Sequence, residues 1–570
     1  MTVVNLRLFA PIAVIASLAV NADARPAKRK PLDPKKLGSS ARVNYGRELR
    51  PTREVSGRRT EKLTEAEATA EKIQTLLRGP LLRRGLTGLY VADANTGEPL
   101  FAVNADDALN PASNVKMIST ATALDLLGPG FRYPTRVLGP DPVAGTVKGD
   151  IYLLGSYDPT LTLKDFDDLA GSLARRGITR IEGNLFTGSD PTRDAIYRAS
   201  VPIQIVAGEP GSAPIVSLPD NFELVTIKNT ATTARRAMRS RLTYKVTQST
   251  LPNGQPRLEL AIGGTLGKDG KVTYPLSANK LRTATAAYAL LASLRSHDID
   301  ITGDWKTFEL GDFLGDSISH GTLPVELGRH ESIPLADIVA RVNKWSINWL
   351  ADRVVMSAAG LTKRKAPTME LAVEAMYTWL DRNPHVARSS VTLDTGSGLS
   401  YRTQISTKQL VKVIRSAAGF TKNADPTIAT PWRDSLSVVG TDGTLRYRFR
   451  TTPTHGGKIV GKTGTLSTVI ALSGILDLDP ARPLAFALVT NTDSPLSKPI
   501  VRKAHERVIA EICKYLSRTA KQPVKPTITP IVPVVPEAPD EGEETDDAID
   551  HETAGKPTAP PVKRPEELPL

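Results

Sequence analysis

Gly457-Lys458-Ile459-Val460-Gly461-Lys462-Thr463-Gly464-Thr465 reads as an edge strand carrying Lys-Thr-Gly between small residues. Glycine inside a strand marks a bulge or the close approach of another backbone. Here that backbone can be a substrate's. A lone Lys-Thr-Gly is also what a glycine-rich hairpin with one solvated lysine looks like. The reading changes when Ser-x-x-Lys and Ser-x-Asn stand upstream, because the three together build one acylating serine site. Both are present, as Ser113-Asn114-Val115-Lys116 and Ser346-Ile347-Asn348.

A serine hydroxyl is a poor nucleophile until a base takes its proton. Ser113 and Lys116 are three apart, which at a helix start puts both side chains on one face. The helix N-terminus adds N–H groups and positive potential that suit a developing oxyanion. Lysine serves as a base only if its pKa falls from about 10.4. Burial and a neighbouring cation both push it down, and Lys462 is the candidate cation. Ser346 is placed to pass a proton to a leaving group, and Asn348 to hold the substrate amide or the lysine.

A second candidate exists. Ser277-Ala278-Asn279-Lys280 satisfies Ser-x-x-Lys and Ser-x-Asn at once, and Ser277 lies far closer to Ser346 in sequence than Ser113 does. Ser113 is preferred on local context. A capping box at Thr64–Glu67 opens a helix with Ala66, Ala70, Ile73 and Leu77 at helical spacing. Two short strands around Asn95-Thr96-Gly97 follow as a hairpin, and the apolar run after Lys116 ends at Gly128-Pro129. A helix on a hairpin begins an α/β sheet domain. Ser277 ends a β-rich stretch instead.

The remaining chain is organised around that domain. Residues 1–24 read as a secretory signal, with Arg7, an apolar run from Leu8 to Val20, and Ala22-Asp23-Ala24 as a cleavage site. Residues 25–62 are a basic flexible linker with thirteen Lys/Arg against four Asp/Glu. Residues 63–140 are expected to begin the catalytic domain. Residues 141–324 form a β-rich accessory insertion with a helix at Thr283 to Leu294. The catalytic domain resumes over 325–520, where Leu335, Ile338, Val339, Val342 and Trp345 make an apolar stripe and Leu484 to Thr490 a fully apolar strand. Residues 521–570 read as a Pro-rich, then acidic, disordered tail, with nine acids and no Lys/Arg from Glu537 to Glu552.

The net charge of +13 suits an anionic partner. No nucleic-acid motif supports nucleic acid. An anionic wall or membrane surface, reached through residues 25–62, is the expected contact. The one cysteine, Cys513, excludes an intramolecular disulfide, so the fold must rest on its core. The seven histidines make no metal-binding pair, and no phosphate loop is present, so neither cofactor nor metal is expected.

Taken together these stretches resemble the class C low-molecular-mass penicillin-binding proteins, the penicillin-binding protein 4 type of D-alanyl-D-alanine carboxypeptidase/endopeptidase. The resemblance rests on Pro111 to Lys116, Gly149 to Leu153, Gly155 to Leu161, Asn343 to Asn348, Asp394 to Ser400, Asp442 to Phe449 and Gly461 to Thr465. It spans about residues 63 to 517. Two departures stand out. The family's usual Gly-Gly-Gly-Asp-Pro is Gly155-Ser156-Tyr157-Asp158-Pro159, and the middle of Ser-x-Asn, commonly Asp, is Ile347.

The resemblance implies an α/β (α+β) penicillin-recognising serine transpeptidase/β-lactamase-like fold with a β-rich accessory insertion. It implies cleavage of D-Ala-D-Ala termini or D-amino-acid cross-links of peptidoglycan stem peptides, with β-lactams as inhibitors. Ser113 would be the nucleophile and Lys116 its base. Ser346 would relay the proton, and Asn348 would position the peptide. Lys462, Thr463 and Thr465 would receive the terminal carboxylate, with the N–H groups of Ser113 and Thr465 as oxyanion hole. A β-lactamase on the same fold and a non-catalytic wall-binding protein are the alternatives.

Overall fold

The computed structural model describes residues 64–188, 200–308 and 324–519, apart from positions 81, 84, 220–221, 423, 480 and 496, together with 529–530. The expected signal and basic arm, and most of the acidic tail, lie outside the described residues.

The organising sheet has seven strands in the order Ser437–Val438, Lys458–Leu466, Val469–Asp477, Leu484–Asn491, Leu86–Asp93, Pro99–Val103 and Thr529–Pro530. All neighbours are antiparallel except the last pair, where Phe101 and Ala102 meet Thr529 and Pro530 in parallel. That short strand falls within the stretch read above as a disordered tail. The hairpin Leu86–Val103 thus joins the strands between Lys458 and Asn491 in one sheet, although they lie far apart in sequence.

The strand Leu484–Asn491 explains why its sequence shows no polar alternation. Leu484, Phe486 and Leu488 pack into one apolar cluster with the helices Glu65–Arg78 and Lys498–Thr519. Ala485, Ala487 and Val489 pack into another with Lys116–Leu127, Leu335–Trp345, Asn348–Lys363 and Thr407–Ala417. Side chains alternate between faces along a strand, and here both faces are covered, so every position from Leu484 to Val489 is apolar. Small residues line the side where several helices crowd in.

Residues 134–331 leave and rejoin this core through one antiparallel pair, Pro134–Gly139 against Val325–Glu331. That pair edges a five-stranded sheet, and smaller sheets follow, one of them built on the long hairpin Arg241–Thr250 and Pro256–Leu266. The Arg282–Ser296 helix packs against a helix at Leu163–Arg175, which the reading of a β-rich stretch did not anticipate. They share a third apolar cluster.

Candidate active site

The chain enters the site through Asn110. Its Oδ1 accepts from the Ala112 N–H at 2.8 Å, and its Nδ2 donates to the Ser400 carbonyl at 2.9 Å. A short 3₁₀ turn, Ala112–Val115, then leads into the helix beginning at Lys116. In a 3₁₀ turn residues three apart eclipse, which aligns Ser113 with Lys116. The Lys116 Nζ donates to Ser113 Oγ at 3.0 Å.

Two glycines let this turn sit where it does. A Cβ on Gly464 would lie 2.6 Å from the Pro111 carbonyl oxygen and 3.1 Å from Ala112 Cβ. A Cβ on Gly398, at φ +78°, would lie 2.1 Å from the Ala112 carbonyl oxygen. Ala112 itself is held at φ +46°, a conformation alanine rarely adopts. Ser113 and its turn are therefore clamped between the Lys-Thr-Gly strand and the Ser397-Gly398 loop.

Lys116 is fully buried. Besides Ser113 it donates to Asn348 Oδ1 and the Ser397 carbonyl, both at 2.6 Å. Burial lowers its pKa to about 7, partly opposed by the Asp352 carboxylate. Asp352 also receives the Ser397 N–H at 2.7 Å, which fixes the carbonyl facing Lys116. Sequence reasoning missed Asp352. It stands four residues after Asn348 on one helix, so its spacing puts it on the same face.

Ser346 was expected near the end of an amphipathic run. It is the hinge itself: the helix Leu335–Trp345 stops there, Ser346 adopts φ +57°, and Asn348 opens the next helix. Left-handed backbone at a non-glycine residue is the kind of strain that gathers at working sites. It aims Ser346 Oγ at Lys462, whose Nζ donates to it at 2.8 Å and to the Thr463 carbonyl at 2.9 Å. Lys462 is fully buried and its pKa lies well below the ordinary lysine value. Burial is the main cause at both lysines, and the Lys116 charge adds to it at Lys462. Lys462 is thus bonded to Ser346, and it is burial that lowers the pKa of Lys116.

Thr463 and Thr465 are half-buried on the same strand. Thr463 Oγ1 lies 2.9 Å from Thr444 Oγ1, and Arg502 from the C-terminal helix donates to Thr465 Oγ1 at 3.2 Å. Thr444 and Arg502 also escaped the sequence reading. The outer edge of this strand pairs with Ser437–Val438 only at Val460 and Gly461. From Lys462 onward that side has no strand partner among the described residues. Unpaired edge backbone is a template for an extended peptide.

The structure thus brings together two hydrogen-bonded groups, Lys116 with Ser113 and Asn348, and Lys462 with Ser346, beside Thr463 and Thr465. It leaves out the second Ser-x-x-Lys. Ser277 ends a strand paired with Ser200–Val206 and is exposed, as is Lys280.

The model of the D-Ala-D-Ala carboxypeptidase 3 (S13) family matches residues 69–194 and 188–512. A D-alanyl-D-alanine carboxypeptidase of Actinomadura sp. (strain R39) is 27% identical over 493 residues, covering 79% of this chain and 86% of that one. Carboxypeptidase DacB of Mycolicibacterium smegmatis is 26% identical over 434 residues, covering 73% and 79%. Among solved structures, penicillin binding protein 4 of Haemophilus influenzae superposes with a TM-score of 0.54 at 18% identity, over 79% of this chain and 99% of that one. With the family model matching on both sides of the insertion, the chain belongs to the D-Ala-D-Ala carboxypeptidase 3 (S13) family.

Proposed function

We propose that this serine D,D-peptidase cleaves D-Ala-D-Ala termini of peptidoglycan stem peptides through an acyl-enzyme on Ser113. The observation that carries the reading is Lys116. A buried lysine with its pKa near neutrality, 3.0 Å from a serine hydroxyl, is a base held ready.

The substrate backbone would add to the open edge at Thr463–Thr465, its terminal carboxylate toward Lys462 and Thr463. Neutral Lys116 takes the Ser113 proton as Oγ attacks the carbonyl carbon. The N–H groups of Ser113 and Thr465 receive the oxyanion, contacts worth roughly 3–4 kcal/mol each in other enzymes. Ser346, bonded to Lys462, relays to the departing amine the proton that Lys116 took, as the C–N bond breaks, which returns Lys116 to its neutral form. Asn348 holds the peptide and Lys116 in register. Water, deprotonated by the same base, then hydrolyses the ester. A β-lactam opened by Ser113 keeps its amine tethered, so the adduct is slow to leave and the enzyme is inhibited.

Export to the cell-wall space fits this substrate, and the basic arm 25–62 would hold the enzyme loosely on anionic wall or membrane polymers. No helix among the described residues is long and apolar enough to cross a membrane. Removing the arm should weaken wall binding at low salt; equal binding would sink that role.

The test is labelling of the mature protein with a fluorescent penicillin on a denaturing gel. A stable band lost in Ser113→Ala and kept in Ser277→Ala is expected. A band lost only in Ser277→Ala, or absent from the folded wild type, would overturn the reading.

A further inference from the structure

A cavity of about 570 Å³ is lined by Thr441, Arg446, Tyr447 and Arg450 among others. The guanidiniums of Arg446 and Arg450 lie over the Tyr447 ring at 4.3 and 4.5 Å from its centroid. Arg446 also lies 5.7 Å from the Trp345 ring centroid. Both aromatics are open to solvent, Trp345 at 52% and Tyr447 at 59% exposure. Exposed Trp, Tyr and Arg in one cluster are what binding surfaces are enriched in. Among the described residues no carboxylate pairs with Arg446 or Arg450. Arg448 between them differs, since Glu506 accepts from its Nε at 2.6 Å.

The position of this patch is fixed by the catalytic elements. Trp345 immediately precedes Ser346. Arg446 follows the short turn Gly443–Leu445, whose Thr444 bonds Thr463. That turn is pinned to the Ser346 hinge by the Lys344–Asp442 ion pair at 2.5 Å and by Gly443, where a Cβ would lie 2.5 Å from the Lys344 carbonyl oxygen. The patch therefore sits off the end of the cleft that takes the substrate carboxylate, where the amine departs.

A terminal D-alanine is too small to reach beyond that end. The departing half of a cross-link is a peptide with carboxylates of its own. We propose that Arg446, Tyr447, Arg450 and Trp345 form a subsite for the acidic stem peptide that leaves when a cross-link is cut. This rests on the Ser113 acyl-enzyme reading. The chemistry is that of the terminal cleavage: the Ser113 ester forms as the cross-link C–N bond breaks, the acidic peptide leaves as a protonated amine, and water releases the donor as a free carboxylate.

The experiment compares kcat/KM of the wild type and Arg446→Ala/Arg450→Ala on three substrates. These are a cross-linked muropeptide dimer with free carboxylates, the same dimer amidated, and a diacylated Lys-D-Ala-D-Ala tripeptide. The wild type is expected to prefer the acidic dimer over the amidated one at least tenfold. The double variant should lose that preference, mainly through KM, with tripeptide hydrolysis and penicillin labelling unchanged. Arg446→Lys/Arg450→Lys should retain part of it. Absence of the preference in the wild type overturns the subsite. So does a double variant equal to wild type, or one that falls equally on both dimers, which would assign the patch to sugar stacking. A uniform fall on all three substrates would mark a structural role and overturn it as well. In each of these cases the Ser113 reading stands if penicillin still labels the protein. Absence of both label and tripeptide hydrolysis from the wild type would instead remove the reading beneath it.

Discussion

Lys116 must shed its proton before it can take one from Ser113, and its pKa near 7 places that event within the working range. Acylation by penicillin should therefore rise about tenfold per pH unit below pH 7 and level off above it. A rate that is flat from pH 5 to 9 would show that another group sets the base. Asp352 opposes the depression of Lys116. Asp352→Asn keeps an oxygen for the Ser397 N–H but removes the charge, so the midpoint of the profile should move to lower pH. An unmoved midpoint, followed by stopped-flow acylation, would remove Asp352 from the electrostatics of the site. The sequence made Ser113, Lys116, Ser346, Asn348 and Lys462 legible because each belongs to a short pattern with its own chemical reason. Asp352 has no such pattern. Its role arises from a helix face meeting a distant loop, Ser397, and that meeting is decided by the fold.

At the level of elements, the site depends on one strand lying against one turn. Gly464 is the contact point, and the nearest atom to an added Cβ is backbone, the Pro111 carbonyl oxygen, which cannot swing aside. Gly464→Ala should push the turn and its serine off the strand. A displacement of about 1 Å can cost on the order of 100-fold in rate, and that is the fall expected in penicillin acylation. Circular dichroism should still report a folded protein. Wild-type acylation by Gly464→Ala would mean the strand does not set the turn's position. The strand was readable from its Lys-Thr-Gly and glycines. The helix Leu163–Arg175 was passed over because short strands and turn residues dominate its surroundings, although Thr162 and Asp165 form a capping box at its start. A local signal was present and the composition of the wider window outweighed it.

On the scale of the molecule, burying Lys116 and Lys462 works against folding. Their pKa values fall below those of the unfolded chain, so the unfolded state binds protons more tightly and stability rises with pH as they titrate. For Lys116 the penalty is fully present below about pH 7 and fades as pH rises toward 10.5. His505 acts at the other end of the scale. It sits on the buried face of the helix Lys498–Thr519, with Nε2 2.8 Å from Thr490 Oγ1, and burial takes its pKa from 6.5 to about 3. The folded state refuses a proton that the unfolded state accepts. The stability from neutral His505 is therefore intact above pH 6.5 and drains away as pH falls toward 3. One such group changes stability by at most about 1.4 kcal/mol per pH unit. Urea unfolding at pH 7, 6, 5 and 4 should show the wild type losing stability steadily over that range. His505→Phe removes the titrating group and leaves Thr490 its bond to Thr87 at 2.9 Å. Its stability should fall less steeply over the same range, by up to that slope. Parallel slopes for the two proteins would show that other groups govern the acid limit. A shallower slope would place the acid-sensitive joint at the seam between the helix Lys498–Thr519 and the central strand Leu484–Asn491, which is joined through Val469–Asp477 to the strand Lys458–Leu466 that carries Lys462.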